Sequence, residues 1–172
     1  MNPVLKYSLL LRVAATPLLF ATSNNILNTV LMLIFLDIID CNPIVVKLFD
    51  AKYKAEGCSG NPTYQILDKV LDIFQYLVAA SLLRPILPKS IFNVTLLLIL
   101  YRILGIGVYL YTGNNRVFEL FIDFIKEYLA LYALAGPPSA PILVPAVLLK
   151  VGFEYLMHDR HIFLTLYRSI FE

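Results

Sequence analysis

The chain has 172 residues, of which 59% are hydrophobic and only 15% charged, with a mean hydropathy of +0.76 and a formal net charge of +2. Soluble domains carry about 25% charge, so this composition predicts an integral membrane protein, and so small a net charge gives no electrostatic footprint for nucleic acid. The apolar runs are continuous rather than alternating, which argues against a transmembrane β-barrel. They predict an all-α, polytopic membrane bundle of about six transmembrane helices, one domain over residues 1–172, with the lipid bilayer as its first partner.

Residues 13–36 carry no charge at all. Pro17 and the cluster Thr22-Ser23-Asn24-Asn25 interrupt them, because such residues compete for backbone hydrogen bonds and mark turns. Two helices are therefore expected, about 4–22 and 25–40, with one long span as the alternative. No cleavage-site pattern follows, so the stretch reads as a retained span. Arg12 then lies within the first helix, facing the bundle or an interface. Residues 41–63 form the longest polar connection, with Lys47, Lys52 and Lys54 among the breakers Pro43, Gly57, Gly60 and Pro62; residues 44–55 suit a short interfacial helix. Thr63 is the expected N-cap of a third helix, about 64–84, which Arg84, Pro85 and Pro88 close. The fourth helix is expected over 90–111. Its Gly105-x-Gly107 pair permits close helix approach, including that of a second copy in a homodimer. A turn at 112–116 leads to a fifth helix over 117–135. Residues 136–141 break it, a sixth covers 142–158, and the tail suits an amphipathic helix on the membrane surface.

Six spans place both termini and the 41–63 loop on one side, together with Lys6, Lys47, Lys52, Lys54, Arg116, Arg160 and Arg168. The other side keeps Arg84 and Lys89 in its loops. Positive residues gather on the cytoplasmic side of membranes, so this side is expected to be cytoplasmic. Tyr7, Tyr53, Tyr64, Tyr111 and Tyr167 fall near expected helix ends, as an aromatic belt would.

Four aspartates stand out against this apolar background. Asp37 and Asp40 are three residues apart, and Asp68 and Asp72 are four apart, so each pair shares a helical face. With five or with six spans both pairs are expected on one side, the cytoplasmic side in the six-span arrangement. Hard divalent cations prefer oxygen ligands, and carboxylates from two helices can clamp them. Asp37, Asp40, Asp68 and Asp72 are thus the candidate ligands of a divalent metal, and a carboxylate not consumed by metal can act as general base. The plainer reading is that the aspartates lie in interfacial water at helix ends, paired with Lys69 and the loop lysines. A second set, Glu119, Asp123 and Glu127 with Lys126, follows a spacing of four in the fifth helix. It would line an ion or proton path with Arg102, or pair internally at the interface. His158 and His161 lack further zinc ligands nearby and read as a solvated helix end. Cys41 and Cys58 share one loop and are expected to be free thiols if that loop is cytoplasmic.

The aspartate pattern resembles the CDP-alcohol phosphatidyltransferase signature, D-x2-D-G-x2-A-R followed after a spacer by G-x3-D-x3-D. Here it reads Asp37-Ile-Ile-Asp40 and Tyr64-Gln-Ile-Leu-Asp68-Lys-Val-Leu-Asp72. The Leu-Arg-Val-Ala-Ala-Thr-Pro stretch at 11–17 is similar to the family's first helix. Cys41 and Tyr64 stand in place of the glycines, Ile44-Val45 in place of Ala-Arg, and the 27-residue spacer from Asp40 to Asp68 is longer than the family's. The resemblance implies a six-helix membrane transferase of phospholipid biosynthesis. In it Asp37, Asp40 and Asp68, with Asp72 shared, would hold Mg²⁺ or Mn²⁺. Asp72 would deprotonate an acceptor alcohol that attacks the β-phosphorus of a CDP-linked lipid, releasing CMP. Lys47, Lys52 and Lys54 are the candidates to contact the nucleotide phosphates where the arginine is missing. From the residues alone two other readings stay open: a small channel or transporter built on Arg102 and the Glu119/Asp123/Glu127 face, and a non-catalytic membrane scaffold.

Overall fold

The computed structural model describes residues 9–17, 25–39, 62–114 and 117–158, and all regular structure among them is helical. In chain order the helices are α1 (residues 9–17), α2 (Ile26–Ile39), α3 (Pro62–Leu83), α4 (Lys89–Thr112), α5 (Val117–Leu120), α6 (Ile125–Ala135) and α7 (Ala140–His158). They belong to two compact units, Met1–Ile99 and Leu100–Glu172, whose boundary falls inside α4. The expectation of an all-α protein is met among the described residues. One described helix, α4, is long and apolar enough to cross a membrane; Ile26–Asp37 and Ala140–Gly152 are shorter apolar stretches.

In the first unit, α2 starts afresh where the sequence placed a turn. The Asn25 side chain accepts a hydrogen bond from the Asn28 amide at 2.8 Å, and its carbonyl accepts from the Thr29 amide and hydroxyl at 3.1 and 2.9 Å. Asparagine is among the best N-caps because its side-chain oxygen satisfies an orphan amide of the first turn. α1 and α2 are therefore separate helices rather than one span. α3 begins at Pro62, so Thr63 lies inside its first turn and is not the cap. Proline suits that first position, since its fixed φ is helical and its missing N–H would have had no helical partner. α2 packs against α3.

α3 carries apolar side chains on both its buried and its exposed faces. Its buried stripe runs through Tyr64, Leu71, Asp72, Gln75, Tyr76, Ala79, Ala80 and Leu83, a helical period, while Leu67, Val70, Phe74 and Leu77 point outward. α2 buries Thr29, Val30, Leu33 and Leu36 and exposes Leu31, Ile34 and Phe35.

In the second unit, the expected single helix over 117–135 is interrupted. α5 ends at Leu120, and residues 121–124 leave the helix before α6 begins at Ile125. The cause lies in α4. The Tyr101 hydroxyl donates to the Leu120 carbonyl, and Arg102 Nη1 donates to the Phe121 carbonyl at 2.5 Å. These carbonyls thereby gain side-chain partners at a helix end, where the last C=O groups are otherwise orphaned. Asp123 Oδ1 accepts from the Ile125 amide at 3.3 Å and helps to restart the helix. Phe121 sits so close to α4 that a Cβ on Gly105 would lie 2.4 Å from its Cβ, and its ring is 4.9 Å from that of Tyr101. α6 closes at Gly136, whose φ of 75° is a left-handed conformation open to glycine at little cost, and whose amide donates to the Tyr132 carbonyl at 2.9 Å. α7 packs against α5 and carries Pro145 in its interior.

Candidate functional site

The aspartates of the first unit converge on a cation from their own chain. Arg12 lies on α1 with its side chain 1% exposed. Its Nη1 donates to Asp68 Oδ1 at 2.5 Å, and its Nη2 donates to Asp72 Oδ1 at 2.6 Å. Asp37, from the end of α2, places Oδ1 3.8 Å from Nη2. Three helices thus meet at one guanidinium. The planar fork of arginine makes this possible, since it offers several donors in fixed directions where a lysine offers a point charge.

A polar lining holds the fork in place. Gln75 Oε1 accepts from Arg12 Nη2 at 3.2 Å, and Gln75 Nε2 donates to the Thr16 hydroxyl at 3.2 Å. That hydroxyl in turn donates to the Arg12 carbonyl at 2.7 Å, one helical turn back. Thr16 and Gln75 are 2% and 1% exposed, and their polar side-chain atoms bond to each other and to Arg12 rather than to water. At the rim, Lys69 Nζ donates to Asp68 Oδ2 at 2.8 Å and lies 3.7 Å from Asp72 Oδ2. Side-chain exposure increases from Arg12 and Asp72 through Asp68 to Lys69 and Asp37.

The structure places Asp37, Asp68 and Asp72 around Arg12, with Gln75 and Lys69 bonded beside them and Thr16 behind Gln75. Asp40, Lys47, Lys52 and Lys54 lie outside the described residues, as do Cys41, Cys58 and His161. Tyr64, at the place of a signature glycine, is buried at 3% exposure and fills space where glycine would leave room. Among the described residues, no group of three or more His, Cys, Asp or Glu stands arranged to hold a metal ion. As folded, each of the three carboxylates faces the guanidinium. Their chemistry still suits a hard divalent cation, being all oxygen and all anionic. Arg12 now takes the carboxylate oxygens that such an ion would need, and the two cations would repel. Two unit charges 4 Å apart in a protein repel by about 4 kcal/mol at an effective dielectric constant of 20, and a divalent ion doubles that.

The missed partner had a sequence signal. Arg12 is the one charged residue between Lys6 and Asp37, and an isolated arginine in an apolar run has to find an anion or water. Gln75 sits three residues after Asp72 and seven after Asp68, on the same helical face.

The second charged set is dispersed. The interruption at 121–124 removes Asp123 from the helix of Glu119, so the expected continuous Glu119/Asp123/Glu127 face does not form. Asp123 Oδ2 lies 3.6 Å from Lys126 Nζ, both groups nearly buried, and Glu127 Oε1 pairs with Lys150 of α7 at 2.8 Å. Arg102 is engaged with the Phe121 carbonyl. His158 closes α7. No protein family, no curated protein and no solved structure is matched by this chain.

Proposed function

We propose that the chain is a multi-pass integral membrane protein, a bundle of about six spans, and a phosphotransferase-like enzyme of the CDP-alcohol phosphatidyltransferase type. The bilayer reading is supported by the sorting of side chains. Arg12, Asp72, Gln75, Arg102, Asp123 and Lys126 are buried, while leucines such as Leu97, Leu104 and Leu148 are more than half exposed. In water this arrangement is costly on both counts; against lipid it is the expected one.

The observation that carries the enzymatic reading is the convergence of Asp37 on α2 with Asp68 and Asp72 on α3. These three, with Asp40, would hold Mg²⁺ or Mn²⁺ once Arg12 has withdrawn. The ion, when bound, would neutralise charge on a phosphoester. Asp72 is the base that takes the acceptor hydroxyl proton; the alcohol oxygen then bonds to the β-phosphorus of a CDP-linked lipid and the bond to CMP breaks. Lys47, Lys52 and Lys54 would steady the phosphates. The substrate is a nucleotide-linked lipid drawn from the bilayer, and the aspartates face the cytoplasm. Gly105 is already used within the chain, against Phe121, so a homodimer would meet through another surface of α4 or elsewhere.

The test is Mn²⁺ binding to the detergent-purified protein, with and without CDP, beside an Asp68→Asn/Asp72→Asn double variant. Binding that CDP strengthens and the double variant loses supports the transferase. Binding indifferent to CDP removes the nucleotide from the reading, and no binding leaves a scaffold. The interruption of 117–135 favours a second reading, a small channel or transporter, because broken helices in membranes commonly line substrate paths. Conductance in planar bilayers that Arg102→Gln alters would support it.

A further inference from the structure

We propose, resting on the membrane reading and not on the transferase, that the connector between α3 and α4 docks the phosphates of anionic membrane lipids through Arg84 and Lys89. Charge is the first reason. Residues 73–118 contain no aspartate or glutamate, so the two cations have no acidic neighbour in the chain around them. Both residues are exposed, and among the described residues neither meets an acidic side chain. Their counter-charge therefore comes from outside the protein. Position says which anion supplies it. Lys89 is the first residue of α4, the described helix long and apolar enough to cross a membrane. At 1.5 Å per residue α4 extends about 36 Å, against about 30 Å of hydrocarbon, so its ends reach the headgroups when it spans. Exposed Leu77 and Leu82 on α3, and Val94 and Leu97 on α4, carry an apolar surface along both helices toward the connector. Ile86, 49% exposed, lies between the two cations in the chain. A dissolved phosphate has no use for these apolar side chains. A lipid offers its acyl chains to them and its phosphate to the cations above. The connector also holds its shape by itself. The amides of Ile86 and Leu87 both donate to the Leu83 carbonyl, at 2.9 and 2.8 Å, and the Phe92 amide donates to the Pro88 carbonyl at 3.0 Å. Pro85 and Pro88 have fixed φ, and Leu83, Leu87 and Ile91 are buried. Little backbone freedom is left to lose when a lipid binds.

The chain has no tryptophan, so the full-length protein carrying Ile86→Trp has a single indole, placed at the connector and still apolar. It is reconstituted into phosphatidylcholine vesicles that contain a minor fraction of phosphatidylglycerol. Bromine on the acyl chains of one lipid or the other quenches the indole on contact. The ratio of the two quenching efficiencies, corrected for mole fraction, is the local enrichment of the anionic lipid. An enrichment of about fivefold or more is expected, since one cation near an anionic lipid surface contributes about that factor. Adding Arg84→Gln/Lys89→Gln is expected to return the ratio to parity. Parity before the cations are removed overturns the site and leaves the membrane reading standing. Enrichment that survives their removal overturns the assignment to Arg84 and Lys89. Protein that does not float with the vesicles overturns the site together with the membrane reading. If the variant lacking both cations is not recovered in vesicles, Arg84→Gln and Lys89→Gln singly decide: a fall in enrichment in either supports the site, and no fall in both overturns it.

Discussion

Arg12 and Asp72 are 60 residues apart in sequence and 2.6 Å apart in space, and neither side chain is more than 8% exposed. A pair so withdrawn from water stabilises little relative to an apolar pair of the same shape, but losing one partner strands the other. The pair thus fixes which helices meet rather than how strongly they adhere.

Arg12→Gln is expected to destabilise the folded protein in metal-free buffer by about 3–5 kcal/mol, because it leaves Asp72 and Asp68 without their nearest cation. Asp72→Asn is milder, since Arg12 keeps Asp68. Asp37→Asn is milder still, under about 1 kcal/mol, because its carboxylate is more than a third exposed and lies 3.8 Å away. Thermal or denaturant unfolding of the three variants in detergent checks the order. Asp37→Asn proving the most damaging would refute the account of the cluster.

Gly105→Ala and Gly107→Ala are predicted to diverge. The first places a Cβ 2.4 Å from that of Phe121, backbone-proximal atoms that cannot swing aside, and should cost about 1–3 kcal/mol by overpacking. The second meets nothing within 4 Å and should be neutral or stabilising by up to about 1 kcal/mol through helix propensity. Equal melting temperatures for the two variants would contradict the seating of Phe121.

The Glu127–Lys150 pair ties α6 to α7 at 2.8 Å but is partly exposed. A double-mutant cycle with Glu127→Gln and Lys150→Gln should give a coupling below about 1 kcal/mol that shrinks with added salt. A coupling several times larger would mean that the pair is shielded from solvent, as by lipid.

Leu104 on α4 is 62% exposed. If α4 spans a bilayer, Leu104→Asp should cost about 3 kcal/mol in insertion and shift the protein out of the carbonate-resistant membrane fraction. Unchanged fractionation would count against a lipid-facing Leu104.

Much of the helical layout could be read from the sequence because its boundaries are marked by residues with one dominant local effect. Asn25 lies in the polar cluster that marks the turn, and Pro85 with Pro88 separates α3 from α4; the start of α3 is less legible, since Thr63 reads as a cap and Pro62 takes the first helical position. That Asp68 and Asp72 share one face of α3 followed from their spacing of four. Arg12 as the centre of that cluster did not follow. Its partners come from α2 and α3, and no local rule reports a contact across 56 residues. The interruption at 121–124 was hidden for the same reason. Residues 117–135 are compatible with a continuous helix by propensity, and what opens it comes from Tyr101, Arg102 and Gly105 on another helix.

The distance along the chain between Arg12 and its aspartates is also a delay. Asp68 and Asp72 are translated 56 and 60 residues after Arg12, which at 5–20 residues per second is roughly 3–12 s. During that interval α1 carries a guanidinium that no α3 carboxylate can neutralise. If the helices enter a bilayer, that charge is a poor passenger for its centre, and α1 would reach its final depth only after α3 has been made.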